Sequence, residues 1–108
     1  MNRWFVVRTH PHGEFKALAN ILRQGFGAYL PRYLKRRRHA RKTDTVQSPL
    51  FPGYLFVEMD PDQARWRALN STIGVSELIC QNGLPTPLPE RVIDNIRERE
   101  NEQGYVIL

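Results

Sequence analysis

The sequence predicts an α+β domain, a four-stranded antiparallel sheet with helices on one face, from three observations. The most apolar run, Ser48 to Met59, is rich in aromatic and branched residues and is the right length for one strand. Read at period two, both of its faces are apolar, with Leu50, Pro52, Tyr54 and Phe56 on one and Phe51, Gly53, Leu55, Val57 and Met59 on the other. Around it, alternating and helical-period segments follow in the order strand, helix, strand, strand, helix, strand, with an extra C-terminal helix. That order is the ferredoxin-like βαββαβ arrangement.

The first strand is Trp4 to Thr9, ended by the turn residues His10-Pro11-His12-Gly13. From Glu14 the period becomes helical, and Phe15, Leu18, Ala19, Leu22 and Phe26 form the expected apolar stripe before Gly25 and Gly27. Ala28 to about Arg37 reads as a second strand, in which Pro31 demands an edge position or a bulge because it has no N–H to donate. The basic segment that follows carries no large apolar anchor, so it is an extended hairpin or a mobile loop. After the apolar strand, Asp60, Pro61 and Gln63 have the pattern of a capped helix start, with the helix running to about Leu69. Ile73 to Gln81 is the next strand and Asn82-Gly83 a tight hairpin turn. A last helix starts near Pro89-Glu90 and presents Val92, Ile93 and Ile96.

At 108 residues the chain is expected to form one domain over residues 1–108. No apolar run approaches the length of a membrane span, and Arg3 and Arg8 break the N-terminal segment against a signal peptide, so a cytoplasmic protein is expected. The single cysteine, Cys80, excludes an internal disulfide and a multi-thiolate zinc site, and its neighbours Leu78 and Ile79 suggest a small buried residue. His10 and His12 have no further clustered ligands, carboxylates form no acid and base pair, and neither common phosphate-binding glycine loop is present. Nothing points to catalysis, a metal or a cofactor.

Charge is the stronger signal. Lys35, Arg36, Arg37, Arg38, Arg41 and Lys42 lie in one acid-free segment and hold the whole positive excess, because the other ten basic residues face eleven acidic ones. Such an arm is either a solvated loop or a contact to nucleic-acid phosphates, and its arginines suit forked contacts to phosphate oxygens. The aromatic strand also has two readings. Tyr54 and Phe56 are core, or they form a surface that the last helix covers only in part and that accepts a partner's helices.

The run Pro49 to Val57, its acidic-proline continuation and Thr72-Ile73-Gly74-Val75 closely resemble the N-terminal (NGN) domain of NusG, the bacterial transcription elongation factor. The spacing from Trp4 through Pro31 to Val92-Ile93 looks like the specialised antitermination paralogue RfaH. The resemblance implies an apolar pocket for the clamp helices of RNA polymerase, here Phe51, Pro52, Tyr54, Phe56, Ile93 and Ile96. It also implies a second polymerase contact through Arg65, Trp66 and Arg67, across the cleft. Contacts to the non-template DNA strand would come from His10, Lys16, Asn20, Arg23, Gln24 and Thr72, with the basic arm adding phosphate contacts. Ile73 stands where RfaH has a basic residue, and Arg8 replaces an aromatic at the pocket edge. Family members carry a second β-barrel, the KOW domain; none is expected within these 108 residues. A monomeric, non-enzymatic transcription module follows, and a ferredoxin-like RNA-binding module that stacks bases on sheet aromatics is the alternative.

Overall fold

The computed structural model describes all residues, 1–108. Four strands, β1 (Arg3–Thr9), β2 (Gly27–Tyr29), β5 (Tyr54–Met59) and β6 (Val75–Leu78), form an antiparallel sheet in the order β2-β5-β1-β6. Helix α1 (Glu14–Arg23) connects β1 to β2 and packs on β2 and β5. Phe5, Val7, Leu55, Val57 and Met59 alternate onto the α1 face and meet Ala17, Ile21 and Leu69 in a single core. Burying each large apolar side chain there contributes about 1.5–3 kcal/mol.

The stripe of α1 is turned from the one expected. Ala17 and Ile21 are fully buried, whereas Phe15 and Leu22 remain 42% and 48% exposed. The reason is the close approach of Gly74: a Cβ there would lie 2.7 Å from the Ala17 amide nitrogen. That approach fixes the small Ala17 side of the helix inward. Asn20 Nδ2 reinforces the orientation by donating to the Ile73 carbonyl at 3.1 Å.

The expected second strand is two elements. The sheet ladder stops after Tyr29, and the chain re-enters extended structure as β3 (Arg32–His39), which pairs only with β4 (Lys42–Pro49). Proline at position 31 explains the break, because it cannot donate to the ladder. Of the two forms expected for the basic segment, the hairpin is present. Its turn places Ala40 and Arg41 at φ 50° and 66°, the left-handed pair of a type I′ turn.

The helix expected from Asp60 is not formed. One turn closes from the Ala64 amide to the Asp60 carbonyl, and the chain then leaves helical geometry at Arg65 and becomes a 3₁₀ helix, Trp66–Ser71. The Asp60 carboxylate does accept from the Asp62 amide, as an N-cap does, and from the N-terminal ammonium, but no helix continues beyond that turn. A three-residue period suits this stretch, since it sets Trp66, Leu69 and Thr72 on one side toward the core. The strand expected from Ile73 to Gln81 is likewise shorter. β6 ends at Leu78, and β7 (Cys80–Gln81) pairs with β8 (Leu84–Pro85) around the anticipated Asn82-Gly83 turn. Cys80, expected buried, is exposed because it belongs to this small outer hairpin. Helix α2 (Val92–Arg97) closes the chain, and Val106 returns to bond the Arg32 carbonyl. No helix is long and apolar enough to cross a membrane.

Gly74 has φ +96° as well as no room for a side chain. Gly74→Ala is therefore expected to destabilise the fold by about 2–5 kcal/mol, through left-handed strain and overpacking together. A lowered midpoint in urea unfolding checks this; an unchanged midpoint would contradict the close packing of α1.

Candidate functional site

The second face of the sheet carries the aromatic residues. Cross-strand register places Tyr29 opposite Phe56 and Arg8 opposite Tyr54, so Trp4, Tyr29, Tyr54 and Phe56 all point away from α1. Tyr29 stacks on Phe56 at 6.5 Å between centroids, Trp4 meets Tyr29 edge to face, and Phe51 meets Phe56 edge to face at 6.0 Å. Phe51 precedes the strand, and a turn at Gly53 brings it to this side. The alternation expected for the strand thus holds for Tyr54 to Met59, with Phe51 at the rim.

The turn is held from beneath. The Glu14 carboxylate, itself buried, accepts from the Gly53 amide at 2.9 Å, and the Thr9 amide donates to the Gly53 carbonyl at 2.8 Å. Gly53 has φ +86°, which a side chain would strain. The start of α1 therefore positions the rim of the aromatic surface.

Exposure divides the pocket residues. Phe51 and Tyr54 are 42% and 40% exposed and Pro52 is exposed, whereas Phe56 at 7% and Ile93 at 3% are buried. Ile96 is half-buried. Helix α2 lies on this same face: the Arg97 guanidinium stands over the Trp4 ring at 5.2 Å and the Tyr29 ring at 4.8 Å. The Tyr29 hydroxyl donates to Glu100 at 2.5 Å. Sequence reasoning missed Trp4, Tyr29 and Arg97 as members of this surface. Trp4 shares a strand face with Val6 and Arg8, but Tyr29 reaches Phe56 only through a register that no local pattern encodes.

Other candidate residues fall in three places. Lys16, Arg23 and His10 are exposed around α1 and the β1–α1 turn, while Asn20, Gln24 and Thr72 are bonded among themselves and to the backbone. Arg23 donates to Asn20 Oδ1 at 3.0 Å. Asn20, Arg23, Gln24 and Thr72 edge a shallow depression of about 310 Å³. Arg65 lines a wider cleft of about 690 Å³ between the end of α1 and residues 58–68, and Arg67 stacks on the half-buried Trp66 at 4.3 Å. The basic residues Lys35, Arg36, Arg37, Arg38, Arg41 and Lys42 all lie exposed along the β3–β4 hairpin, remote in sequence register from the aromatic face. No group of three or more His, Cys, Asp or Glu residues is placed to hold a metal.

The Tyr29 phenol is held neutral well above its ordinary value. Burial is the largest cause, the hydrogen bond to Glu100 and that carboxylate's charge add to it, and Arg97 and Arg32 oppose it. Its contribution to stability is present below the unfolded value of about 10 and is lost as pH rises above that toward the folded value. Tyr29→Phe is expected to remove the most alkaline component of a 295 nm absorbance titration. A curve that keeps that component would show that Tyr29 is not its source.

Residues 2–97 match the family model described as NusG, transcription termination factor nusG. The transcription termination/antitermination protein NusG of Helicobacter pylori is 39% identical over 63 residues, 58% of this chain and 36% of the relative. NusG of Thermus thermophilus is 30% identical over 111 residues, covering 88% of this chain and 60% of the relative. The chain thus spans less than two thirds of these curated relatives. A solved structure concerning domain interaction in Thermotoga maritima NusG superposes with a TM-score of 0.57 at 25% identity, over 84% of this chain and 52% of that one. With a match over nearly the whole chain, made by a mixed α/β domain with antiparallel sheets, the chain belongs to the NusG family.

Proposed function

We propose that this chain is a cytoplasmic, monomeric and non-enzymatic module that binds the clamp helices of RNA polymerase through its aromatic sheet face and contacts DNA through basic residues, favouring processive elongation. The observation that carries the proposal is the half-open cluster on the second sheet face. Phe51, Pro52 and Tyr54 stand exposed beside the buried Phe56, on which Phe51 packs, and form an apolar strip suited to accept apolar helix ridges. Arg65 and Arg67, with Trp66 beneath, offer a second polar contact beside the 690 Å³ cleft. Binding both sides of the polymerase cleft would favour one state of the enzyme by differential affinity.

The sheet order β2-β5-β1-β6 supports reading the domain as ferredoxin-like, with the second helix reduced to 3₁₀ and the β3–β4 hairpin inserted. Within the family we take it as an RfaH-like antitermination paralogue, on the spacing from Trp4 to Ile93. His10, Lys16 and Arg23 are the side chains most open to a non-template DNA strand, with Asn20, Gln24 and Thr72 shaping the adjoining depression. Base stacking on the sheet, as in an RNA-binding module, is less well supported, because Phe56 is buried and Tyr29 is engaged by Glu100 and Arg97.

Phe51→Ser and Tyr54→Ser change exposed positions and should leave the fold intact. Each is expected to weaken binding to core RNA polymerase by about tenfold or more, the equivalent of about 1.4 kcal/mol, with the circular dichroism spectrum and melting temperature unchanged. Unchanged affinity in a folded double variant would overturn the pocket assignment. Tight binding of single-stranded RNA, lost in the same variants while polymerase binding persists, would favour the RNA-binding alternative.

A further inference from the structure

The β3–β4 hairpin is a free two-stranded ribbon whose two faces are both cationic. Every residue from Leu34 to Thr45 is exposed, so neither face packs on the domain. Its eight paired rungs extend roughly 27 Å at about 3.4 Å per residue, in a molecule 51 Å long but only 28 by 24 Å across. Cross-strand partners share a face. Arg36 and Arg38, opposite Thr45 and Thr43, therefore form one face, and Lys35, Arg37 and Lys42 the other. The only acid in the ribbon, Asp44, is taken up by Arg37 at 3.3 Å. Arg41 stands at the turn between the two faces.

A cationic loop that lies on a surface needs charge on one side only. Charge on both sides suits a position between two rows of phosphates. The major groove of B-form DNA supplies them, and at about 12 Å wide it admits a two-stranded ribbon. The deep, narrow major groove of A-form RNA does not. Single strands are ordinarily held by stacking on aromatic side chains, and no Phe, Tyr or Trp lies between Leu34 and Thr45. We infer that the β3–β4 ribbon is a duplex-DNA element that inserts into the major groove, with Arg36 and Arg38 facing one phosphate row and Lys35 and Lys42 the other. Thr43 and Thr45 would face the groove wall on the arginine side, where their hydroxyls can donate to phosphate oxygens. The inference rests on the proposed contact of basic residues to DNA and extends it to the arm, with duplex rather than single strand as the ligand.

The test uses the whole chain and three probes of one sequence: a 20-base-pair DNA duplex, the same duplex with glucosylated hydroxymethylcytosines that fill the major groove, and the single strand. Two paired variants, Arg36→Ala with Arg38→Ala and Lys35→Ala with Lys42→Ala, remove one face each. Both are expected to lower the logarithmic salt slope of duplex binding by about 1.8, or about 0.9 per lost contact, while single-strand binding changes little. Glucosylation should weaken duplex binding by about tenfold or more. If glucosylation has no effect, or if the variants lose single-strand and duplex affinity alike, groove insertion is overturned and the arm remains a general phosphate contact. If neither variant changes binding to any probe, the arm as a DNA contact is itself overturned, and groove insertion falls with it.

Discussion

Strand β5 lies between β1 and β2, so both of its edges are committed to ladders and both of its faces must be used. Leu55, Val57 and Met59 fill the core with α1, and Tyr54 and Phe56 build the surface on the far side. The alternation is fixed by the pleat. A shift of one residue would exchange the core face for the outer aromatic face and lose both. The rest of the chain serves that strand: β1 aligns it, the Glu14 carboxylate and the Thr9 amide hold the turn before it, and Arg97 of α2 stands over Trp4 and Tyr29 on the two strands beside it.

The same constraint explains how a small domain carries two distinct surfaces. A sheet covered on one side by a single α-helix and a 3₁₀ segment leaves the other side to be covered by something else. Helix α2, only six residues long, covers part, and Arg97 caps Trp4 and Tyr29 by cation–π contact. What remains open is the strip from Phe51 to Tyr54. The basic arm is physically separate, an extension inserted between β2 and β5 at the break made by Pro31. One surface is apolar and shaped for packing, and the other is charged and shaped for reach.

Much of this was legible in the sequence where one physical rule dominated. Period-two alternation located β1 and β5, Pro31 marked an edge or bulge at the point where the strand in fact breaks, and Asn82-Gly83 marked its hairpin turn. Legibility failed where distant residues decide. The phase of α1 is set by Gly74, 57 positions beyond Ala17, so the stripe of Phe15 and Leu22 reads as core from local spacing and is in fact outside. The Asp60 signature is a sound helix start by local rules and its carboxylate does cap the Asp62 amide, but the chain leaves helical geometry at Arg65, and Trp66 and Leu69 take the shorter period toward the core. Cys80 reads as core between apolar neighbours and lies instead in an outer hairpin. At the candidate site, Phe51, Tyr54 and Phe56 were readable, whereas Trp4, Tyr29 and Arg97 join them only through tertiary register.

The most direct measurement is site-specific photocrosslinking to core RNA polymerase from p-benzoylphenylalanine placed at Phe51, Tyr54, Phe15 and Leu22. All four positions are partly exposed, so each probe is tolerated and each face is sampled. Cross-links from Phe51 and Tyr54 and none from Phe15 or Leu22 are expected if the sheet face is the docking surface. Cross-links from the α1 positions alone would contradict it and assign docking to the exposed apolar side of the helix.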